Sequence, residues 1–201
     1  MYVNFSMASS EAIDKLLHST IVPRPIAWIS TEDRQGRANL APFSFFNVFS
    51  TEPPILGIGI GERAPGVPKD TARNILETGE FVVNLVRYDS CAAMNLSASN
   101  VAPDVDEAEL AGVDMVRSTM VMPRRVRESP VALECRLEQS VPLGPHGHLI
   151  LGRVLAMHLD DAVMANPERH HVDAPKLDLI GRMHGSGWYA RTTDLFQMKR
   201  V

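Results

Sequence analysis

Three short stretches of the chain carry residue types that suit chemistry. The segment from Gly61 ends in Lys69-Asp70-Thr71, where a helix is predicted to begin. A helix N-terminus exposes unpaired backbone N–H groups at the positive end of its dipole. A lysine and a hydroxyl added there suit a phosphate. Asp70 would repel such an anion, so it is expected as the N-cap, accepting from the first turn. The same residues also fit a capped surface helix with an exposed lysine, and the pattern alone leaves both readings open.

The second stretch is Ala41-Pro42-Phe43-Ser44-Phe45-Phe46-Asn47. In an extended chain, Phe43, Phe45 and Asn47 share one face and Ser44 and Phe46 the other. Such a strand can hold a flat heteroaromatic ring, with backbone and amide groups at its polar edge and apolar groups over its face. It can also be plain core. The third is Arg24-Pro25-Ile26-Ala27-Trp28-Ile29-Ser30-Thr31. An arginine at the start of a strand can fork onto a phosphate, and Ser30 and Thr31 offer hydroxyls at its end. An ordinary strand with a core tryptophan fits as well.

Several chemistries are excluded by pattern. His170 and His171 are adjacent, so their side chains diverge; His146 and His148 flank a predicted hairpin and His184 lies among glycines. No H-E-x-x-H, Cys–His cluster or carboxylate–His spacing is present, so no metal site is expected. There is no G-x-S-x-G nucleophile turn and no Rossmann fingerprint, so a nicotinamide would have to bind without one.

These stretches need a frame to position them. With 201 residues, 45% hydrophobic and 22% charged, one domain over 1–201 of ordinary globular composition is expected. The net charge of −4 gives no global field for nucleic acid or an anionic membrane. No apolar run reaches the roughly 20 residues that cross a bilayer, and Met1–His18 does not read as a signal peptide. Cys91 and Cys135 fit reduced thiols of a cytoplasmic protein.

Residues 11–18, 71–78 and 90–98 read as helices, and Asp104–Leu110 as helix-compatible within a mixed excursion over 100–125. Extended segments are expected over 26–31, 39–50, 55–60, 81–86, 131–141 and 148–159, with the last two joined by a hairpin connector at 143–147. Gly57, Gly59 and Gly61 alternate along one of them, a sign that something approaches the backbone closely. Strands outnumber helices without strand–helix–strand alternation. That favours a mainly β (α+β) barrel with helices outside over a doubly wound sheet.

Taken in order, RPIAWIST (24–31), NLAPFSFFNVFSTEPP (39–54), KDTARNI (69–75), EFVVNLV (80–86), ESPVALECRL (128–137), HLILGRV (148–154) and LDLIGRMHGSGWYAR (177–191) resemble the flavin-reductase-like, FMN-binding split-barrel family, in its flavoredoxin-like branch. The resemblance implies a six-stranded antiparallel split β-barrel with flanking helices, and a homodimer with flavin near the interface. By motif, Ser44, Phe45, Phe46 and Asn47 would line the isoalloxazine and Ser30 the ribityl or phosphate part. Arg24, Lys69 and Thr71 would meet the phosphate, and Arg182 and Tyr189 would close over the ring. His148 matches a histidine opening an H-x-x-x-G-x-V strand near the nicotinamide. His184 and Trp188 depart from the tail motif.

The implied reaction is hydride transfer from NADH or NADPH to flavin N5. The cofactor carries the redox chemistry and the protein orients it. His148 would position more than it would transfer protons. The main alternative is an electron carrier that keeps FMN and serves a protein acceptor. A haem- or FMN-binding sensor and a cofactor-free barrel are further readings.

Overall fold

The computed structural model describes residues 1–102 and 105–199. The chain begins with α1 (Ser10–Thr20), capped by the Ser9 hydroxyl, which accepts from Ala12 N–H. It continues through β1 (Arg24–Pro25), β2 (Ala27–Glu32), β3 (Ala38–Phe43), β4 (Phe46–Thr51), β5 (Pro54–Ala64), α2 (Asp70–Thr78), β6 (Glu80–Leu85), α3 (Cys91–Leu96) and α4 (Glu107–Leu110). The long hairpin β7 (Val131–Pro142) and β8 (Gly147–Leu159) follows, then β9 (Ile180–Arg182) and β10 (Tyr189–Arg191). Asp104, expected in the helix now seen as α4, lies outside the described residues.

Among the described residues the main sheet has eight strands, all pairs antiparallel. Its path runs β3-β2-β6-β7-β8-β5-β4, and the two-residue strand Val67–Pro68 joins beside β5. This is two more than the six strands expected, because the short Val67–Pro68 adds one and the extended stretch 39–50 is two strands. They sit at opposite ends of the path and are joined only by Ser44 and Phe45. The step from Phe43 to Phe46 spans at most about 11 Å, so the two edges of the sheet meet at this corner and the sheet rolls into a split barrel. Gly59 N–H donates to Phe45 C=O at 2.7 Å, holding that corner to β5.

Ala27, Ile29, Phe43, Ile58, Phe81, Val83, Leu133 and Ile150 fill the barrel interior, and Ala72 and Ile75 of α2 close it. Trp28 and Leu40 point the other way, into a second cluster with Met94, Ala108 and Ile180. β2 is therefore covered on both faces. Its residues 27–31 are all buried, which is why they read as an almost unbroken apolar run rather than an alternating one. β9 pairs with β1 and β10 with β9, so the tail hairpin is stitched onto Arg24 and Pro25.

The strand glycines have an internal explanation. A Cβ at Gly57 would run into the Phe49 ring, and one at Gly59 would stand 3.1 Å from the Phe45 Cβ. The close approach expected at these positions is made by the chain's own aromatic side chains.

Candidate functional site

β3 is the terminal strand of the sheet path, paired only with β2. Its outer edge would expose unpaired backbone groups. Leu40 N–H is taken by Glu107 Oε2 at 3.0 Å, and Pro42, two residues on, has no N–H to leave unpaired. Over this edge runs a groove. Its two hollows, about 110 and 330 Å³, share Pro42, Phe43 and Ala98.

The smaller hollow carries Lys69, Thr71, Asn39 and Glu107. Lys69, not Asp70, is the N-cap of α2, with extended backbone and no side-chain cap bond. Asp70 is the first helical residue. It is buried between Arg63 Nη2 at 2.5 Å and Arg73 Nη1 at 2.6 Å. Those two guanidiniums hold its carboxylate, which explains the departure from the expected cap. Lys69 has no carboxylate partner among the described residues. Its ammonium lies 5.3 Å from the centroid of the Phe43 ring. Burial, and then the nearby Arg63, hold it below the usual lysine range. Thr71 Oγ1 accepts from Asn39 Nδ2 at 2.9 Å, which leaves its own proton free to donate.

The larger hollow carries Arg24, Ser44, Arg182, Tyr189 and His18. Arg24 is buried, and its guanidinium is largely occupied. Nη1 donates to His18 O at 2.8 Å and Ile21 O at 2.9 Å, Nη2 to Met183 O at 3.2 Å, and Nε to Ser44 Oγ at 3.3 Å. It caps the last carbonyls of α1 and ties them to the tail, so it frames the groove where a phosphate fork was expected. Burial, then Arg182, lower its pKa. The Arg182 guanidinium stacks 4.8 Å from the Tyr189 ring centroid and donates to Gly185 O.

Lys69, Thr71, Ser44, Arg182, Tyr189 and Arg24 are thus brought to one groove. Other expected residues lie elsewhere. Ser30 shares the outward face with Trp28; its hydroxyl donates to Arg124 O, and it lines a separate hollow with Glu32 and Arg124. Phe45 is half exposed at the barrel corner, stacked on His18 with centroids 5.1 Å apart. Phe46 and Asn47 border an apolar hollow between β4 and the tail, and Asn47 Oδ1 accepts Val48 N–H. His148 sits on β8 with Nδ1 3.0 Å from Ser140 Oγ and does not line the groove.

Glu107 was missed by sequence reading. It is buried beside Thr71 at the small end of the groove, where burial, with Asp106 and Asp70 adding to it, pushes its carboxyl up against the pull of Leu40 N–H. Its segment read only as acidic helix, and nothing in the spacing shows that one of those carboxyls caps a distant sheet edge.

The whole arrangement is a cationic, hydroxyl-bearing end joined to an end walled by aromatic rings and a serine. A model of the flavin reductase like domain matches residues 18–174. The chain belongs to the flavin reductase like family. It is 44% identical over 191 residues to an uncharacterized protein of Deinococcus radiodurans, covering 93% of this chain and 84% of that one. Among solved structures, nitrilotriacetate monooxygenase component B of Bacillus cereus superposes with a TM-score of 0.93 at 32% identity, over 98% of each chain. The 2-nitrobenzoate 2-nitroreductase of Pseudomonas fluorescens superposes with a TM-score of 0.91 at 28% identity, over 100% of this chain and 96% of that one. The family match ends before the β9–β10 hairpin, so Arg182 and Tyr189 bring to the groove residues from outside the matched span. Among the described residues, no group of three or more metal-ligating side chains is present, and no helix is long and apolar enough to cross a membrane.

Proposed function

We propose that the chain is an FMN-binding oxidoreductase that reduces flavin with NADH or NADPH, acting in the cytoplasm as a homodimer of one-domain subunits. One observation carries the reading: the unpaired Lys69 ammonium at the α2 N-terminus and the Ser44–Arg182–Tyr189 cluster lie along a single groove. A mononucleotide has a dianionic end and a planar end, and the groove offers complements to both in that order. Lys69 and Thr71 hold the phosphate by charge and hydroxyl. Ser44 with its backbone and the Tyr189 ring bracket the planar end, and Arg182 sets a positive charge near it.

Bound FMN supplies the hydride-accepting N5 and the redox chemistry. The protein binds it, fixes its face and supplies positive charge to favour the more negative reduced ring. No side chain is needed as a general acid for hydride delivery, and His148 keeps at most a positioning role toward the nicotinamide. The likeness to nitrilotriacetate monooxygenase component B supports a chain that passes electrons to a protein acceptor, either as freed reduced flavin or through a retained cofactor.

The test is anaerobic titration of the FMN-loaded protein with NADH and NADPH. The flavin bands are expected to bleach, and added FMN to be reduced over many turnovers. A protein that stays yellow and is reduced only by dithionite would be the carrier instead. A protein that takes up no FMN would overturn the proposal.

A further inference from the structure

A second cavity of about 800 Å³ opens at the other end of α3. The segment 89–100 lines both cavity and groove. Asp89 and Ser90 face the cavity, Met94 and Asn95 the larger hollow of the groove, and Ser97 to Asn100 its phosphate end. From Ser90 to Asn95 a helix advances about 7–8 Å, so the residues lining the two openings are separated by less than the length of an extended dinucleotide. The Arg191 guanidinium, two residues beyond Tyr189, stacks 4.1 Å from the ring centroid of Tyr88, the residue between Arg87 and Asp89 of the cavity.

Three guanidiniums line the cavity, those of Arg87, Arg125 and Arg127. Arg87 approaches Asp160 only to 3.9 Å, and Arg127 approaches Asp114 only to 3.6 Å. Arg125 has no hydrogen bond or ion pair from its guanidinium among the described residues, and its Nε is a buried donor with no acceptor. Buried donors are almost always paired, and an unpaired one needs an explanation. A planar fork beside the Ser90 hydroxyl suits a phosphate; the Ser129 hydroxyl is already committed to Leu85 O and Val131 O. The carboxylates of Asp89, Glu128 and Asp160 border the same cavity, so it is no general sink for anions; a ligand must place its charge on Arg125.

Resting on the reading that a pyridine nucleotide is the donor, we propose that this cavity takes the adenosine 2′-phosphate of NADPH on Arg125, with Arg87 and Arg127 beside it. The chain then discriminates NADPH from NADH at a site apart from the flavin.

The experiment is calorimetric titration of FMN-loaded protein with adenosine 2′,5′-bisphosphate and with adenosine 5′-monophosphate, in wild type, Arg125→Gln and Arg127→Gln. Wild type is expected to prefer the bisphosphate by roughly tenfold, as one charge-assisted fork would give. Arg125→Gln should bring the two ligands to near-equal affinity, with FMN binding reporting that the variant is folded. Should Arg125→Gln fail to fold, Arg127→Gln, on an exposed side chain, is expected to narrow the preference in the same direction. Equal binding of the two adenosines by wild type, binding of neither, or a preference unchanged in the variants would overturn the proposal. Turnover is read separately. Discrimination without oxidation of either dinucleotide would refute the reductase and leave this site standing; equal oxidation of both with no discrimination would do the reverse.

Discussion

Arg24 Nε and Ser44 Oγ lie 3.3 Å apart across the corner where the chain leaves one edge of the sheet for the other. The remaining donors of Arg24 hold the end of α1 and the tail hairpin at Met183. One buried side chain therefore joins four segments around the groove. Arg24→Met is expected to destabilise the apo-protein by about 2–4 kcal/mol, the range for removing a buried charged donor from several acceptors. Urea unfolding of the apo-protein measures it. A loss below about 0.5 kcal/mol with FMN affinity strongly reduced would instead make Arg24 a phosphate ligand.

Lys69→Ala should behave in the opposite way. Among the described residues its ammonium has no ion pair or hydrogen bond to lose, only the face of the Phe43 ring, so the melting temperature should barely move. FMN affinity should fall by about 1–3 kcal/mol, as for loss of a charge-assisted contact, while riboflavin affinity stays the same. Fluorescence titration with both flavins separates the outcomes. An equal loss for both would remove the lysine from the phosphate.

The contrast between these two residues shows what the sequence made legible. The order of strands and helices could be read, because alternation, β-branched runs and Gly79 as a left-handed helix stop at φ 75° are local signals. The placement of Lys69 and Thr71 at a helix start was legible for the same reason. The job of Arg24 was not, since its acceptors His18 and Met183 are fixed only when the barrel closes and the tail pairs with β1. Ser30 illustrates the same limit. Its strand was identified, but which side of β2 faces the groove depends on a second layer, α3 and α4, that covers its outer face. Phe43 to Phe46 read as one aromatic strand, and the chain breaks there because Ser44 and Phe45 turn the barrel corner.

The depressed Lys69 pKa gives a pH dependence with a definite sign. A bound phosphate stabilises the ammonium, so the pKa of Lys69 in the complex lies above that of the apo-protein, which burial and Arg63 hold below the usual lysine value. FMN affinity is therefore full below the apo pKa and falls as pH rises from there toward the pKa of the complex. Alkaline titrations of FMN binding should show this decline in wild type and lose it in Lys69→Met. A decline that persists in the variant would assign it to another group.

The two thiols should differ sharply. Burial, and then Glu134, push the Cys135 thiol well above the ordinary range, whereas Cys91 is only half buried. The thiolate is the reactive form. Ellman's reagent should therefore titrate Cys91 in the native protein and Cys135 only after unfolding. Two thiols reacting at one rate in native buffer would mean that the barrel opens far more readily than its packing suggests.

The outer strand β4 leaves a large apolar strip uncovered. Phe45 at the barrel corner and Val48 and Phe49 on this terminal strand of the sheet are 51%, 58% and 63% exposed. Exposed apolar side chains gathered on one terminal strand mark an association surface, and an uncovered sheet edge is a liability unless something pairs with it or covers it. In the proposed homodimer a second copy covers the strip, with an interface on the order of 2,000 Å². Phe45 stacks on His18, which lines the groove, so assembly and flavin binding should be linked. Val48→Glu places a charge in the strip without removing the Phe49 ring that packs on Gly57. The variant is expected to sediment as a monomer and to bind FMN more weakly. Wild type should resist dissociation on dilution better with FMN than without it, because a ligand of the dimer stabilises the dimer. Analytical ultracentrifugation with and without FMN decides the matter: a Val48→Glu monomer with undiminished FMN affinity would show that each subunit builds its flavin site alone.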